Sequence, residues 1–342
     1  MEQFEYRRES TLERILEAAR APRPDVRGAQ DAAAQFIAGG TNLTDYMSLG
    51  VARPDILVDI NELRERFGRI ESDKHRLRLG ALVRMAEAED HPVIRRDFPM
   101  LAQTLVLAAS RQIRNMASLG GNVLQRTRCE YFREVSWPCN KRRPGSGCAA
   151  LDGINREHAI LGTSDHCIAT YPGDFAQALI ALEATVETTG GPAGPRTIPF
   201  AELHRLPDDT PHLETNLAPG ELITFLNVPR GPWTRRSCYV KVRDRESYQF
   251  ALTSAAVALQ LEGDIVQEAR IALGGVATIP WRSRTAEAVL GGHRLNETLA
   301  AKAAAAAFAD ARAREHNAFK IAIGQQTLVR ALLQAQQMQV LK

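Results

Sequence analysis

The sequence predicts an α+β chain of two or three domains, on three observations. Short apolar, strand-like runs are interspersed with helical segments through the first two-thirds of the chain. Two longer runs, about 251–262 and 265–274, turn at Glu262-Gly263-Asp264 and read as a hairpin, with helical segments beyond it. Between these regions Pro229-Arg230-Gly231-Pro232 has the composition of a boundary. With 342 residues, 44% hydrophobic and 24% charged, the chain can bury a sizeable core. The formal net charge of +3, with dispersed arginines, argues against a nucleic-acid partner.

The elements follow in order. Ser10-Thr11-Leu12-Glu13 starts a helix capped by Thr11 or Ser10, with apolar positions at Leu12, Ile15, Leu16 and Ala19, interrupted by Pro22 and Pro24. Ala33 to Ala38 is a strand that enters the turn Gly39-Gly40-Thr41-Asn42-Leu43 and a new helix. Ile56 to Ile60 is a buried strand, and Arg76 to Ala81 a second. A helix covers about 98–110, and a second glycine turn sits at 119–121. Asp174 to Leu182 opens a helix or strand ahead of Ala184-Thr185-Val186-Glu187. Asn296 caps an Ala-rich helix over about 297–313, and an amphipathic helix fills about 318–338.

Four of the five cysteines, Cys129, Cys139, Cys148 and Cys167, share one polar segment with the spacing Cys-x9-Cys-x8-Cys-x18-Cys. A segment this polar cannot bury enough apolar surface to order itself, so a cross-link or a bound centre is expected. Independent buried cysteines and two disulfides are the alternatives; the N-terminal sequence lacks the apolar core of a secretory signal. Zinc sites usually use close pairs such as Cys-x2-Cys, and none occurs here. A [4Fe–4S] cube is wider and accepts ligands from separated loop positions, so the spacing favours iron–sulfur over zinc. Gly145 and Gly147 allow close backbone approach, and Lys141-Arg142-Arg143 reads as a solvated loop face or a docking surface. Cys238 lies in an apolar run and reads as core.

The two glycine turns invite a chemical reading. Gly39-Gly40-Thr41-Asn42-Leu43 and Ser118-Leu119-Gly120-Gly121-Asn122 each present successive backbone amides beside small residues, which suits phosphate oxygens. Each could equally be a sharp strand-to-helix turn, since neither has a dinucleotide fingerprint or a Walker spacing.

Phe36-Ile37-Ala38-Gly39-Gly40-Thr41-Asn42-Leu43, Gln112-Ile113-Arg114-Asn115-Met116-Ala117-Ser118-Leu119-Gly120-Gly121-Asn122 and Tyr239-Val240-Lys241 together resemble the FAD-binding subunits of the xanthine dehydrogenase family of molybdenum hydroxylases. The resemblance covers nearly the whole chain. It implies a vanillyl-alcohol-oxidase/PCMH-type FAD-binding domain over 1–228, in two α/β subdomains of about 1–60 and 61–228. A CO-dehydrogenase-flavoprotein-like α+β domain would follow over 232–342. The cysteine segment, about 124–170, is similar to the [4Fe–4S]-bearing insertion of bacterial periplasmic aldehyde oxidoreductases. By position, Ile37 to Asn42 would run along the FAD pyrophosphate, within a cofactor-binding run from Phe36 to Leu43. Ala108, Ala109, Ser118, Gly121 and Asn122 would line its other side, Asp174 would touch the ribityl or adenosine part, and Ile223 and Lys241 would lie by the isoalloxazine. Without the family, Ile223 reads as strand core and Lys241 as a surface charge. The four cysteines would hold the cluster.

What the resemblance implies is an electron-transfer role. An aldehyde is oxidised at a molybdenum cofactor on a large partner subunit, electrons pass through two [2Fe–2S] clusters on a small partner, and FAD on this chain delivers them to an external acceptor. Many relatives carry an acidic residue after the Gly-Thr pair where this chain has Asn42, which points to an acceptor other than NAD. No catalytic residue is expected here, because the cofactors carry the redox steps. The expected setting is a heterotrimer assembled in the cytoplasm and exported folded to the periplasm with a signal-bearing partner. Two other readings are a zinc-clamped interaction module and a free-standing FAD oxidase; the second lacks an identifiable acid or base.

Overall fold

The computed structural model describes residues 1–20 and 28–340; Pro22 and Pro24 lie outside the described residues. Three sheets organise the chain, one after another in sequence. The first is parallel, with β1 (Glu5–Arg8), β2 (Ala34–Ile37) and β3 (Ile56–Asp59) in the order β1-β3-β2. Its first crossover is the helix Leu12–Ala18, where the Thr11 hydroxyl accepts from the Arg14 amide and Ile15 is fully buried.

The second sheet is antiparallel. It contains β4 (Ile70–Ser72), β5 (Arg76–Gly80), β6 (Thr185–Thr189), β7 (Arg196–Pro199) and β8 (Leu222–Pro229), ordered β4-β5-β8-β6-β7. Central β8 is buried along nearly its whole length, because helices cover one face and the first sheet with its helix Leu12–Ala18 covers the other. The helices Pro99–Val106 and Phe175–Ala181 pack there through Leu101, Leu105, Ala178 and Leu179.

The third sheet holds β9 (Ser237–Val242), β10 (Thr253–Glu262), β11 (Ile265–Gly274) and β12 (Trp281–Arg282), ordered β12-β11-β10-β9. Alanines on Glu297–Ala307 and Leu328, Ala331, Leu332 and Ala335 on Phe319–Gln337 bury its outer face. Cys238 is fully buried there, as the sequence predicts.

Two helices are shorter than predicted. The helix expected over 98–110 ends at Val106, and Ala109 follows in the left-handed region at φ 46°. The Ala-rich helix, expected to run to 313, ends at Ala307 because Phe308 turns inward onto Gly324. A Cβ at Gly324 would sit 2.3 Å from that ring. Asn296 caps this helix as predicted, accepting from Leu299 at 2.9 Å. Among the described residues no helix is long and apolar enough to cross a membrane.

Candidate functional site

A cavity of about 950 Å³ opens between the first sheet, the second sheet and the end of β9. Every residue from Phe36 to Leu43 lines it, and so do Ala108, Ala109, Ser118, Gly121, Asn122, Asp174, Ile223 and Lys241. Residues that lie as much as 205 positions apart in sequence therefore share one wall (Phe36 to Lys241).

The glycines divide by cause. A Cβ on Gly39 would sit 2.0 Å from the Met116 carbonyl oxygen, and one on Gly120 would sit 2.9 Å from the Ala81 Cβ. Packing of one turn on another explains these two, where the sequence suggested ligand approach. Gly40 is in the left-handed region at φ 71°, with its nearest neighbour 3.5 Å from a would-be Cβ, so its demand is conformational. Gly120 and Gly121 lie in the first turn of the helix Leu119–Val123, which follows another helix, Arg111–Met116, and not a strand. Ser118 caps it by accepting from the Gly121 amide at 3.2 Å. The Asn122 amide group donates to Met85 Sδ at 3.4 Å, while its Oδ1 is buried with no partner among the described residues. An orphaned acceptor in a cavity wall costs stability until something donates to it.

The far wall is shaped by a group that the sequence reading passed over. Arg114, inside the quoted Gln112-to-Asn122 motif, pairs with the buried Glu89 and donates Nη1 to the Ala108 and Ala109 carbonyls at 2.7 and 3.3 Å. That pull holds Ala109 in its left-handed conformation and sets Ala108 and Ala109 on the cavity surface.

Lys241 is no surface charge. Its side chain is 1% exposed, and Nζ donates to Asp174 Oδ2 at 2.7 Å and to the Leu107 carbonyl at 3.0 Å. Tyr239, two residues earlier on the same face of β9, donates its hydroxyl to Asp174 Oδ1 at 2.5 Å. Both oxygens of Asp174 are thereby engaged, at the start of Phe175–Ala181. Burial, and then the adjacent carboxylate, hold the Tyr239 phenol well above its ordinary range. The result is a neutral phenol and a fixed ion pair at one end of the cavity.

Beside the cavity the four cysteines of the insert converge. Cys139 and Cys148 face each other across an antiparallel bridge. Asn140 accepts from Gly147 N at 2.8 Å and donates to the His166 carbonyl at 3.1 Å. Gly145 and Gly147 adopt φ 80° and 97°, which fits glycine at these turns. Lys141 and Arg142 turn inward, contrary to the solvated face expected of them. Lys141 donates to the Pro211 carbonyl at 3.0 Å, and Arg142 gathers the carbonyls of Tyr131, Phe132, Val135 and Trp137. Ala169 N donates to Cys167 Sγ at 3.4 Å, and His158 Nε2 lies 3.1 Å from Cys129 Sγ. Burial pushes the Cys129 thiol up to about 12 and Cys167 up to about 11, with neighbouring cysteines adding to the rise. The same burial lowers His158 to about 4. Such thiols become thiolates only against a strong positive centre, and a metal supplies one. Among the described residues no group of three or more His, Cys, Asp or Glu is arranged around a single metal ion. Phe132, three residues past Cys129, meets Tyr46 edge-on at 5.9 Å, and Tyr46 forms part of the cavity wall.

Residues 2–231 match the family described as FAD binding domain in molybdopterin dehydrogenase, and residues 238–335 match the CO dehydrogenase flavoprotein C-terminal domain. The chain belongs to the FAD-binding subunits of the molybdenum hydroxylases. It is 44% identical, over 98% of its own length and 99% of the relative's, to the aldehyde oxidoreductase FAD-binding subunit PaoB of Escherichia coli (strain K12). It is 27% identical to the carbon monoxide dehydrogenase medium chain of Afipia carboxidovorans, over 80% of this chain and 77% of that one. Solved structures share the fold. Quinoline 2-oxidoreductase from Pseudomonas putida 86 superposes with a TM-score of 0.73 at 22% identity, covering 98% of both chains. A reconstituted CO dehydrogenase from Oligotropha carboxidovorans gives 0.74 at 22% identity, again over 98% of each. The α+β architecture of a flavin-binding domain followed by a flavoprotein C-terminal domain is thus that of the family. An oxidoreductase subunit that binds FAD replaces the reading as a zinc-clamped module with empty glycine turns.

Proposed function

We propose that this chain is the FAD- and [4Fe–4S]-carrying electron-transfer subunit of a molybdenum-containing aldehyde oxidoreductase. The observation that carries the cluster half of this reading is the convergence of Cys129, Cys139, Cys148 and Cys167. Burial raises the thiols of Cys129, Cys148 and Cys167, Cys139 and Cys148 face each other across a bridge, and the group packs through Phe132 and Tyr46 onto the cavity wall. The flavin half rests on the cavity, with the Gly40 and Ser118 turns along the pyrophosphate, the Asn122 carbonyl toward a donor on the cofactor, and Lys241 and Ile223 by the isoalloxazine. Bound FAD accepts and releases electrons; the chain's own residues bind it, hold it and exclude water from one side. The ion pair of Lys241 with Asp174 fixes a rigid, neutral pair of charges at the ring end, and Arg114 keeps the facing loop in place.

The partners in this reading are a large molybdenum-cofactor subunit and a small subunit with two [2Fe–2S] clusters, in a heterotrimer. Electrons reach FAD from those clusters and leave to an external acceptor other than NAD. The chain divides at about 228 and 232 into its FAD-binding and C-terminal domains, with the insert at about 124–170. Assembly in the cytoplasm and export of the folded complex to the periplasm complete the proposal. Metal and flavin analysis of the anaerobically purified protein, with electron paramagnetic resonance of the reduced sample, tests it. One FAD and four irons per chain are expected, with the signal of a reduced cluster. A chain that is loaded with flavin but free of iron overturns the cluster assignment.

A further inference from the structure

We propose that His158 is the hydrogen-bond donor that sets the electron affinity of the cysteine-held cluster, acting through the sulfur of Cys129. The inference rests on the cluster reading above and adds a residue to it. His158 Nε2 lies 3.1 Å from Cys129 Sγ, within hydrogen-bond reach of a sulfur. An iron-bound thiolate carries no proton and can only accept, so the shared proton belongs to Nε2. Nδ1 is then a bare lone pair. It is buried with no partner among the described residues, which suits an acceptor better than an N–H.

The ring cannot easily swing away. The His158 backbone amide donates to Asn155 O at 3.0 Å, and Ala159 N donates to Ile168 O at 3.0 Å, next to Cys167. One residue earlier, the Glu157 carbonyl accepts from Thr170 Oγ1 and from Lys320 Nζ, both at 2.9 Å. Lys320 also donates to the Gly275 carbonyl at 2.8 Å and is fully buried. The long C-terminal helix therefore braces the histidine segment from behind. Tyr131 packs on the open side, its ring centroid 6.1 Å from that of His158.

A donor to a ligand sulfur stabilises the more negative, reduced cluster and so raises its potential. Backbone donors, such as Ala169 to Cys167, survive every substitution except proline, whereas the His158 side-chain donor can be removed without touching the backbone. His158 is thus a positioning and tuning residue outside the ligand set, analogous to the partners that orient and tune ligands at other metal sites.

The test is a redox titration of the intact, flavin-loaded protein followed by electron paramagnetic resonance. His158→Leu should leave iron and FAD content unchanged and lower the cluster's midpoint potential. The expected shift makes reduction roughly tenfold less favourable, about 59 mV for a one-electron couple. His158→Gln, whose amide can still donate, should recover most of the shift. An unmoved potential in His158→Leu overturns the proposal. Should that variant lose its iron, unaltered protein grown with isotope-labelled histidine decides the matter. A change in the nitrogen modulation of the reduced cluster's spin echo supports the contact, and no change overturns it. Absence of any cluster signal in the unaltered protein instead removes the cluster reading itself.

Discussion

The cavity and the cysteine insert are built on opposite principles. The cavity walls come from regular elements, whose strands and helices are buried in apolar clusters before any ligand arrives. The insert has one short helix, Glu130–Arg133, and is otherwise turns tied by side chains to backbone carbonyls, Arg142 alone serving four. Apolar burial, about 25 cal/mol per Å², supports the first region throughout; in the insert it is concentrated at Phe132 and in the stretch with Ala159, Ile160, Leu161 and Ile168, and the turns that carry Cys139 and Cys148 rest on polar bonds. The insert should therefore depend on its bound centre for order, and the cavity should survive empty.

The largest effect expected is at the insert. Cys129→Ser removes one sulfur, and the cluster should be lost outright, with fast amide exchange spreading over 125–168. Cavity elements such as β8 should remain protected. Iron analysis and hydrogen exchange check both halves, and full iron in this variant sinks the ligand assignment. Because Arg126 and Arg128 join the insert to the cavity wall, FAD affinity should fall without vanishing.

Arg114→Met asks whether the cavity can be broken from inside. It strands Glu89, whose side chain is 2% exposed, although Arg111 remains a second partner. Removing one member of a buried pair costs about 3 kcal/mol. Thermal or denaturant unfolding should show that loss, together with weaker FAD retention as Ala108 and Ala109 relax. Iron content should not change.

A third site lies in neither region and serves as the control. Asp97, 2% exposed, takes Arg96, Arg230 and Arg235, which tie the helix Pro92–Asp97 to the connection after β8. Those arginines hold its carboxyl far below the usual carboxylate range. A carboxyl depressed by folding stabilises above its unfolded pKa of about 3.9 and loses that contribution as the pH falls toward the folded value. Asp97→Asn should therefore cost about 3 kcal/mol at neutral pH. The deficit relative to the unaltered chain should begin to close below about pH 4, while flavin and iron stay bound. A deficit that is independent of pH would refute the ion-pair explanation.

Legibility in the sequence also differs between the two regions. The insert announced itself through four cysteines, yet its scaffold did not, because Lys141 and Arg142 look like surface charges until the carbonyls they serve are folded around them. Outside the insert, the strands Ile56–Asp59 and Thr253–Glu262 and the Asn296 cap were readable, since local pattern decides them. The packing demand on Gly39 and Gly120 was not readable because their partners, Met116 and Ala81, are distant in sequence. Lys241 could be placed only by resemblance, its partner Asp174 lying 67 residues away. The helix after Pro99 was overextended because nothing in Leu107-Ala108-Ala109 foretells the pull of Arg114. Contacts at long sequence separation are what one-dimensional pattern cannot supply.

The smallest and most discriminating effect is at Asn122. Its Oδ1 is buried without a partner among the described residues, a condition that costs about 1–3 kcal/mol while the cavity is empty. Asn122→Leu removes that cost, so the flavin-free protein should become slightly more stable. The same change removes a bond to the cofactor, and FAD should bind roughly tenfold more weakly, about 1.4 kcal/mol. The two signs oppose each other, which a purely structural asparagine would not produce. Denaturation of stripped protein, set beside flavin titration, measures both. A variant that is less stable when empty, or one that binds FAD as tightly as before, would place the Asn122 carbonyl in the packing of the wall and not in the recognition of the cofactor.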